Sequence, residues 1–257
     1  MTREPKRRPA HRENPTEGVG RGEQVEGRRA VEELFRAGTR RARTVWLSGD
    51  GLGDLEERAR AAGARVHRVT ATELTTRART ASPQGIVAAA DPLPLADLDT
   101  LLRAPIAFLV ALEGVTDPQN LGAALRSAEA AGATGALLAR SRAAPITPVV
   151  TKAAAGAVEH LPVTIVPGIP AALARARDRA VWTVGLDVAG DTSIHELPIA
   201  TQPLVLVAGA EGRGLSRLAR DRCDVVARIP MAGTTPSLNV ATALALGCFE
   251  IARARSR

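Results

Sequence analysis

Apolar and polar positions along this 257-residue chain fall into short blocks whose period changes repeatedly. After Gly27, the segment RRAVEELFRAG places Val31, Leu34 and Phe35 at helical spacing and supplies Gly38 as a stop, which predicts an amphipathic helix. TVWLSG then reads as a strand, DLEERARAAG as a helix, ARVHRV as a strand, residues 71–78 as a short helix and SPQGIVAAA as a further strand. This alternation over 25–92 predicts a small α/β sandwich. Two prolines open the next stretch, DPLPLADLDTLLRA, and residues 93–104 read as a linker.

A second alternation begins at residue 105. IAFLVAL is a continuous apolar run, the pattern of a parallel strand covered on both faces. Asp117 and Pro118 predict a helix start, Leu121, Ala124, Leu125, Ala128 and Ala131 share one helix face, and Gly132 ends it. Strands are predicted near 135–138, 162–166, 181–187, 204–208 and 225–229, with helices between several of them and a long helix over about 238–255. An open parallel sheet with helices on both faces satisfies this order. Residues 1–24 show no apolar periodicity and are rich in charge, Pro and Gly, so a disordered basic tail is expected.

The formal charge of +7 favours a polyanionic partner, although arginine dominates everywhere and Lys6 and Lys152 are the only lysines, a usage that base composition alone can produce. Aromatics make up 2% and Tyr is absent, which argues for an RNA grip through Arg, amides and shape rather than through stacking platforms. Cys223 and Cys248 are far apart and read as reduced packing residues of a cytosolic protein. No apolar run has the length of a membrane span. His11, His67, His160 and His195 are scattered, so no metal site is expected.

Three segments carry candidate chemistry. In LEGVTDPQNLGAALRSAEAAG, Asn120 and Arg126 flank the apolar stripe; Arg126 sits about 100° from Leu125 and leaves the core face. Taken singly, it reads rather as an ordinary surface arginine paired with Glu129. In LVLVAGAEGRGLSRL, an apolar strand runs into Gly209, Glu211, Gly212 and Gly214 at a strand's carboxyl end, where α/β sheets bind ligands. The spacing is neither a dinucleotide fingerprint nor a Walker loop, and Glu211 would repel phosphate. In IPMAGTTPSLNVATALALG, a strand end becomes a loop, Ser237 is the expected cap of a largely apolar helix, and Asn239 falls in its first turn. Such a helix is either buried or part of a subunit interface.

In this order and context, the three segments resemble the three motifs of the SpoU, or TrmH, family of the SPOUT superfamily. The stretch GRRAVEELFRAG followed by SPQGIVA is similar to the L30e-like RNA-binding domain that precedes the catalytic domain in the bacterial branch acting on 23S rRNA guanosine. The resemblance implies a trefoil-knotted catalytic domain over 105–257, the knot built by loops 209–214 and 230–237 with the C-terminal helix. It implies S-adenosyl-L-methionine as methyl donor, held around Gly209, Glu211, Gly212, Gly214, Ile229, Met231 and Leu238. It implies a reaction site of Asn120, Arg126, Glu211, Ser237 and Asn239, a homodimer in which Arg126 can serve the neighbouring subunit, and 23S rRNA as partner in the cytoplasm. Two positions depart from the family pattern: Glu113 stands where Asp is frequent, and Ala241 where Ser is common.

The implied reaction is 2′-O-methylation of a ribose. The family's proposed base is the arginine of the first motif. A guanidinium with a pKa above about 12 is a weak base, so a phosphate clamp that stabilises developing alkoxide charge is the better physical role for Arg126. Alternatives are methylation of tRNA, methylation of an rRNA site conferring antibiotic resistance, and a non-catalytic ribosome-assembly factor on the same fold. A nicotinamide-dependent dehydrogenase is excluded by the missing glycine fingerprint.

Overall fold

The computed structural model describes residues 23–256. The tail expected over 1–24 lies outside this range except for its last two residues. Glu23 and Gln24 open strand β1 (Glu23–Glu26), which pairs antiparallel with β4 (Ile86–Ala90). The first unit also contains α1 (Arg28–Ala37), β2 (Ala42–Leu47), α2 (Gly53–Ala61), β3 (Arg65–Arg68) and α3 (Ala71–Arg77). Its sheet has the order β1-β4-β2-β3. Val31 and Leu34 of α1 meet Val45, Leu47, Ile86 and Ala88 on one face of that sheet, as the apolar spacing requires. Gly38 ends α1 in the left-handed conformation, φ 60°, where glycine has no Cβ penalty.

The stretch read as a linker is packed structure. Asp97 caps a short helix, α4 (Leu98–Leu102), by accepting from the Thr100 amide at 2.9 Å. Leu98, Leu101 and Leu102 are buried against the second unit, and the Ala96 amide donates to the Val163 carbonyl. The prolines of 92–94 hide a genuine i, i+3, i+4 apolar pattern that begins only at Leu98.

The second unit holds β5 (Phe108–Glu113), α5 (Pro118–Ala130), β6 (Gly135–Ala139), α6 (Pro148–Ala153), β7 (Val163–Val166), α7 (Ile169–Asp178), β8 (Trp182–Leu186), β9 (Thr192–Ser193), β10 (Leu204–Gly209), α8 (Arg217–Asp221), β11 (Val225–Arg228) and α9 (Val240–Arg255). The seven strands form one parallel sheet in the order β7-β6-β5-β10-β8-β11-β9. Side chains of β5 alternate between its faces. Phe108, Val110 and Leu112 join α5, α6 and α9, whereas Leu109 and Ala111 join α4 and α7. Helices on both sides explain why the central strands are apolar throughout. The end of α9 is pinned: the Arg255 guanidinium donates to the carbonyls of Gln202 (2.6 Å), Ala200 (3.0 Å) and Ala107 (3.3 Å) and lies 5.0 Å over the Phe108 ring. Burial pushes both cysteine thiols up to about 12, so neither is a nucleophile at neutral pH.

The two units are docked through a buried ion cluster. Arg40, 1% exposed, donates from Nη2 and Nε to both oxygens of Glu159 at 2.6 and 3.0 Å, and from Nη1 to Glu23 at 2.6 Å and to the Asp91 carbonyl at 3.1 Å. Burial alone would lower the Arg40 pKa; Glu159 and Glu23 outweigh it and raise it, so the guanidinium stays charged. Close approach of the units at this point requires Gly156. A Cβ there would lie 2.5 Å from Glu33 Cβ, and its φ is +85°. Arg40→Met leaves two carboxylates unpaired, Glu159 being fully buried, and is expected to cost about 3–5 kcal/mol by urea denaturation. Arg40→Met with Glu159→Leu should recover much of this loss. A single variant within about 1 kcal/mol of wild type would contradict the docking role, since exposed pairs give no more than that.

Candidate functional site

Four parallel strands deliver their carboxyl ends to one edge of the large sheet, and the loops and helix starts beyond those ends build the site. β10 ends at Gly209, and the chain turns back on itself so that the Gly214 amide donates to the Ala210 carbonyl at 2.8 Å. This reversal needs Gly209: a Cβ there would lie 2.1 Å from the carbonyl carbon and oxygen of Gly214. The returning limb is clamped by Glu113 at the end of β5, which accepts from the Ser216 amide and hydroxyl, both at 2.8 Å. Ser216 in turn caps α8. The departure at Glu113 therefore has a use, holding the glycine loop from the neighbouring strand.

A cavity of about 270 Å³ opens beyond the ends of β10, β8 and β11, close to the lower end of small-molecule sites, roughly 300–1,000 Å³. Gly209, Glu211, Gly212, Gly214, Ile229, Met231 and Leu238, the seven positions expected to hold the methyl donor, all line it, and Ser237 does too. Leu186, Val188 and Ala208 add apolar wall. Asp187 and Glu211 contribute two carboxylates against one cation, Arg213. An apolar slot with an acidic excess suits a ligand that pairs a flat apolar ring with positive charge, and it disfavours a polyphosphate. Adenine and the sulfonium and ammonium groups of S-adenosyl-L-methionine meet that description.

Asp187 and Arg213 are site residues that sequence reasoning missed. Asp187 had a signal, because it directly follows the apolar strand WTVGL at a strand's carboxyl end. It is fixed by accepting from the Ala189 amide at 2.9 Å and by Arg220 at 3.5 Å.

Beside the cavity the three motifs meet on one side chain. Asn239 Nδ2 donates to Asn120 Oδ1 at 2.9 Å and also to Glu211 Oε1. Asn239 Oδ1 accepts from the Ala241 and Thr242 amides at 2.9 and 3.3 Å, so Asn239 is the N-cap of α9. This corrects the expectation that Ser237 caps this helix. Both residue types are good caps, and the loop geometry puts the break two residues later. Ala241 is buried in the main core and gives one of the two capped amides. Arg126 stands apart. It is exposed on α5, lines no part of the cavity and, among the described residues, forms no ion pair, with Glu129 or otherwise. Among the described residues no three His, Cys, Asp or Glu side chains converge as a metal site would require, and no helix is long and apolar enough to cross a membrane.

Comparison with known proteins agrees with this geometry. The SpoU rRNA Methylase family matches residues 107–249, and the family described as RNA 2′-O ribose methyltransferase substrate binding matches residues 24–96. The chain is 38% identical over 244 residues to a 23S rRNA (guanosine-2′-O-)-methyltransferase of Pseudomonas syringae pv. tomato, covering 91% of this chain and 96% of that one. It is 39% identical over 259 residues to an uncharacterized tRNA/rRNA methyltransferase of Mycobacterium ulcerans, covering 97% of this chain and 83% of that one. The solved structure of the SpoU methyltransferase AviRb from Streptomyces viridochromogenes, in complex with the cofactor AdoMet, superposes with a TM-score of 0.80 at 28% identity, covering 96% of this chain and 95% of that one. With its two units matched in order and its three motifs joined at one cavity, this chain belongs to the SpoU rRNA methylase family.

Proposed function

We propose that this enzyme methylates the ribose 2′-hydroxyl of a guanosine in 23S rRNA, using S-adenosyl-L-methionine, in the cytoplasm. The observation that carries this reading is the convergence of Asn120, Glu211 and Asn239 beside an acidic, partly apolar cavity at the ends of parallel strands. The choice of rRNA over tRNA rests on the N-terminal unit. The 23S-specific relative spans both units, and the domain family at 24–96 is one of substrate binding.

Bound in the cavity, S-adenosyl-L-methionine supplies a methyl group activated by its sulfonium. The chain does the rest. Leu186, Ile229, Met231 and Leu238 would form the apolar wall for the donor's adenine, and Asp187 and Glu211 would face the positive charge of its sulfonium and ammonium groups. Asn239 holds Asn120 and Glu211 in fixed orientation, so the groups around the reacting ribose are organised before RNA arrives. Arg126 clamps a phosphate next to that ribose and stabilises negative charge as the 2′-oxygen loses its proton. Its isolation from the cavity of its own subunit fits delivery to a partner's site. The C-terminal helix supports this assembly: Thr242, Leu246, Phe249 and Arg253 form an exposed stripe on α9, with Leu246 42% and Phe249 52% exposed, and α9 packs against α5, which carries Arg126. A homodimer through α9 covers this stripe. The loops 209–214 and 230–237 with α9 are read as the trefoil knot, supported by β10 lying between β5 and β8 while α9 returns across the same sheet.

Arg126→Ala is expected to lower methyl transfer by about 100-fold or more while calorimetry finds donor affinity within about twofold of wild type. Loss of donor binding would contradict the clamp role. Phe249→Glu should give a monomer by light scattering and lose turnover together with it. A fully active monomer would overturn the shared site. Mapping 2′-O-methyl groups on total RNA from a deletion strain should find one guanosine of 23S rRNA unmodified. A missing methyl on tRNA instead would redirect the substrate.

A further inference from the structure

The sheet of the N-terminal unit buries one face under α1 and α2; the opposite face is covered by α3 over β4, where Val87 is buried, and is left open towards β3. This second face carries Trp46 of β2, half-buried, opposite exposed His67 of β3 in register. Their rings stack near-parallel, with centroids 6.4 Å apart and planes at 21°, and the Arg77 guanidinium lies 5.9 Å over the indole. Two residues back along the same strands, Thr44 pairs with Arg65. There the surface dips into a concavity of about 530 Å³ lined by Arg41, Arg43, Gly63, Arg65 and Asp91. Asp91 is occupied by Arg43, whereas Arg41 and Arg65 have no carboxylate partner among the described residues.

An aromatic pair with an overlying guanidinium, two strand positions from a cationic trough, matches the two repeating parts of a single-stranded polynucleotide. Bases stack on rings and phosphates sit by arginines. The low aromatic content predicts a grip without stacking. Trp46, one of two Trp in a chain with no Tyr, is placed where stacking is possible after all. We propose that this face binds an unpaired nucleotide of the substrate RNA, its base on the Trp46–His67 pair and its flanking phosphates on Arg41 and Arg65. The inference rests on the RNA-methyltransferase reading and extends it, because the substrate-binding family covers the whole unit whereas the geometry selects one face of it. A protein partner on the same face is the competing outcome, and an acidic one would use the same arginines.

The test uses full-length enzyme and unmodified, in vitro transcribed bacterial 23S rRNA. Trp46→Ala should raise the KM for RNA by about 5- to 100-fold, the range for losing one stacked base, with kcat and donor affinity unchanged, and Trp46→Phe should restore most of it. The double variant Arg41→Ala/Arg65→Ala, at exposed positions, should raise KM and flatten its salt dependence, since binding through fewer phosphate contacts releases fewer counterions. Binding is read separately from turnover in Trp182→Phe protein, where Trp46 is the sole indole and its fluorescence should be quenched by the transcript. A transcript that quenches Trp46 emission in the Trp182→Phe protein but is not methylated by the wild type keeps this surface and sinks the 23S rRNA reading. A methylating enzyme whose Trp46→Ala and double-arginine variants keep KM within twofold, or whose Trp46 emission ignores RNA, overturns the surface and leaves the face to a protein partner.

Discussion

The Asn239 side chain works at both ends at once. Its oxygen takes two amides at the start of α9, and its nitrogen gives hydrogens to Asn120 and Glu211. The first duty fixes where a 16-residue helix begins. The second ties together a helix that succeeds β5, a loop that succeeds β10 and a helix that succeeds β11. These segments are distant in sequence, and the parallel sheet alone brings them to one edge. An amide does what neither a hydroxyl nor a carboxylate can do here, because it offers an acceptor to the cap and two donors to the site. The cap and the geometry of the candidate site therefore share one side chain, and the cavity wall formed by Ser237 and Leu238 is held in the same place.

A second constraint governs the whole molecule. Arg40 fastens the N-terminal unit to the catalytic one through a buried, bidentate pair with Glu159. Around it, His160 meets Glu33 at 2.9 Å, and Lys152 reaches the Ser82 carbonyl. A buried pair of this kind adds little net stability compared with an apolar contact, but it accepts only one geometry. For an enzyme that must grip a large RNA with one unit and modify it with another, a fixed spacing between grip and reaction centre is the property that matters.

Much of this was legible in the sequence because the relevant signals are local. The helix of 28–37 comes from Val31, Leu34 and Gly38, and the central strands from uninterrupted apolar runs. The seven positions expected to hold the methyl donor came from the family resemblance; only Gly209, Gly212 and Gly214 among them carry a local signal of their own, glycines at a strand's carboxyl end. The features that were not legible depend on distant partners. EQVE at 23–26 has a single apolar residue and becomes a strand only by pairing with β4. The helix at Leu98 was masked by the prolines before it. Ser237 and Asn239 are equally good caps on propensity, and the loop fold decides between them. Arg40 reads as one arginine among many until Glu159, far away in the chain, is placed against it. The isolation of Arg126 likewise emerges only when its neighbours are known.

Asn239 joins the three motifs in addition to capping a helix, and one substitution separates these duties. Serine keeps a side-chain oxygen for the cap but removes the amide donors. Asn239→Ser should therefore unfold within a few degrees of wild type, retain the helical circular-dichroism signal, and yet lose methyl transfer to rRNA by about 100-fold or more in single-turnover assays, the scale set by removing one organising donor from an active site. A variant equally stable and still methylating at near wild-type rate would contradict this role, because the three motifs would then hold their catalytic geometry without the side chain that joins them.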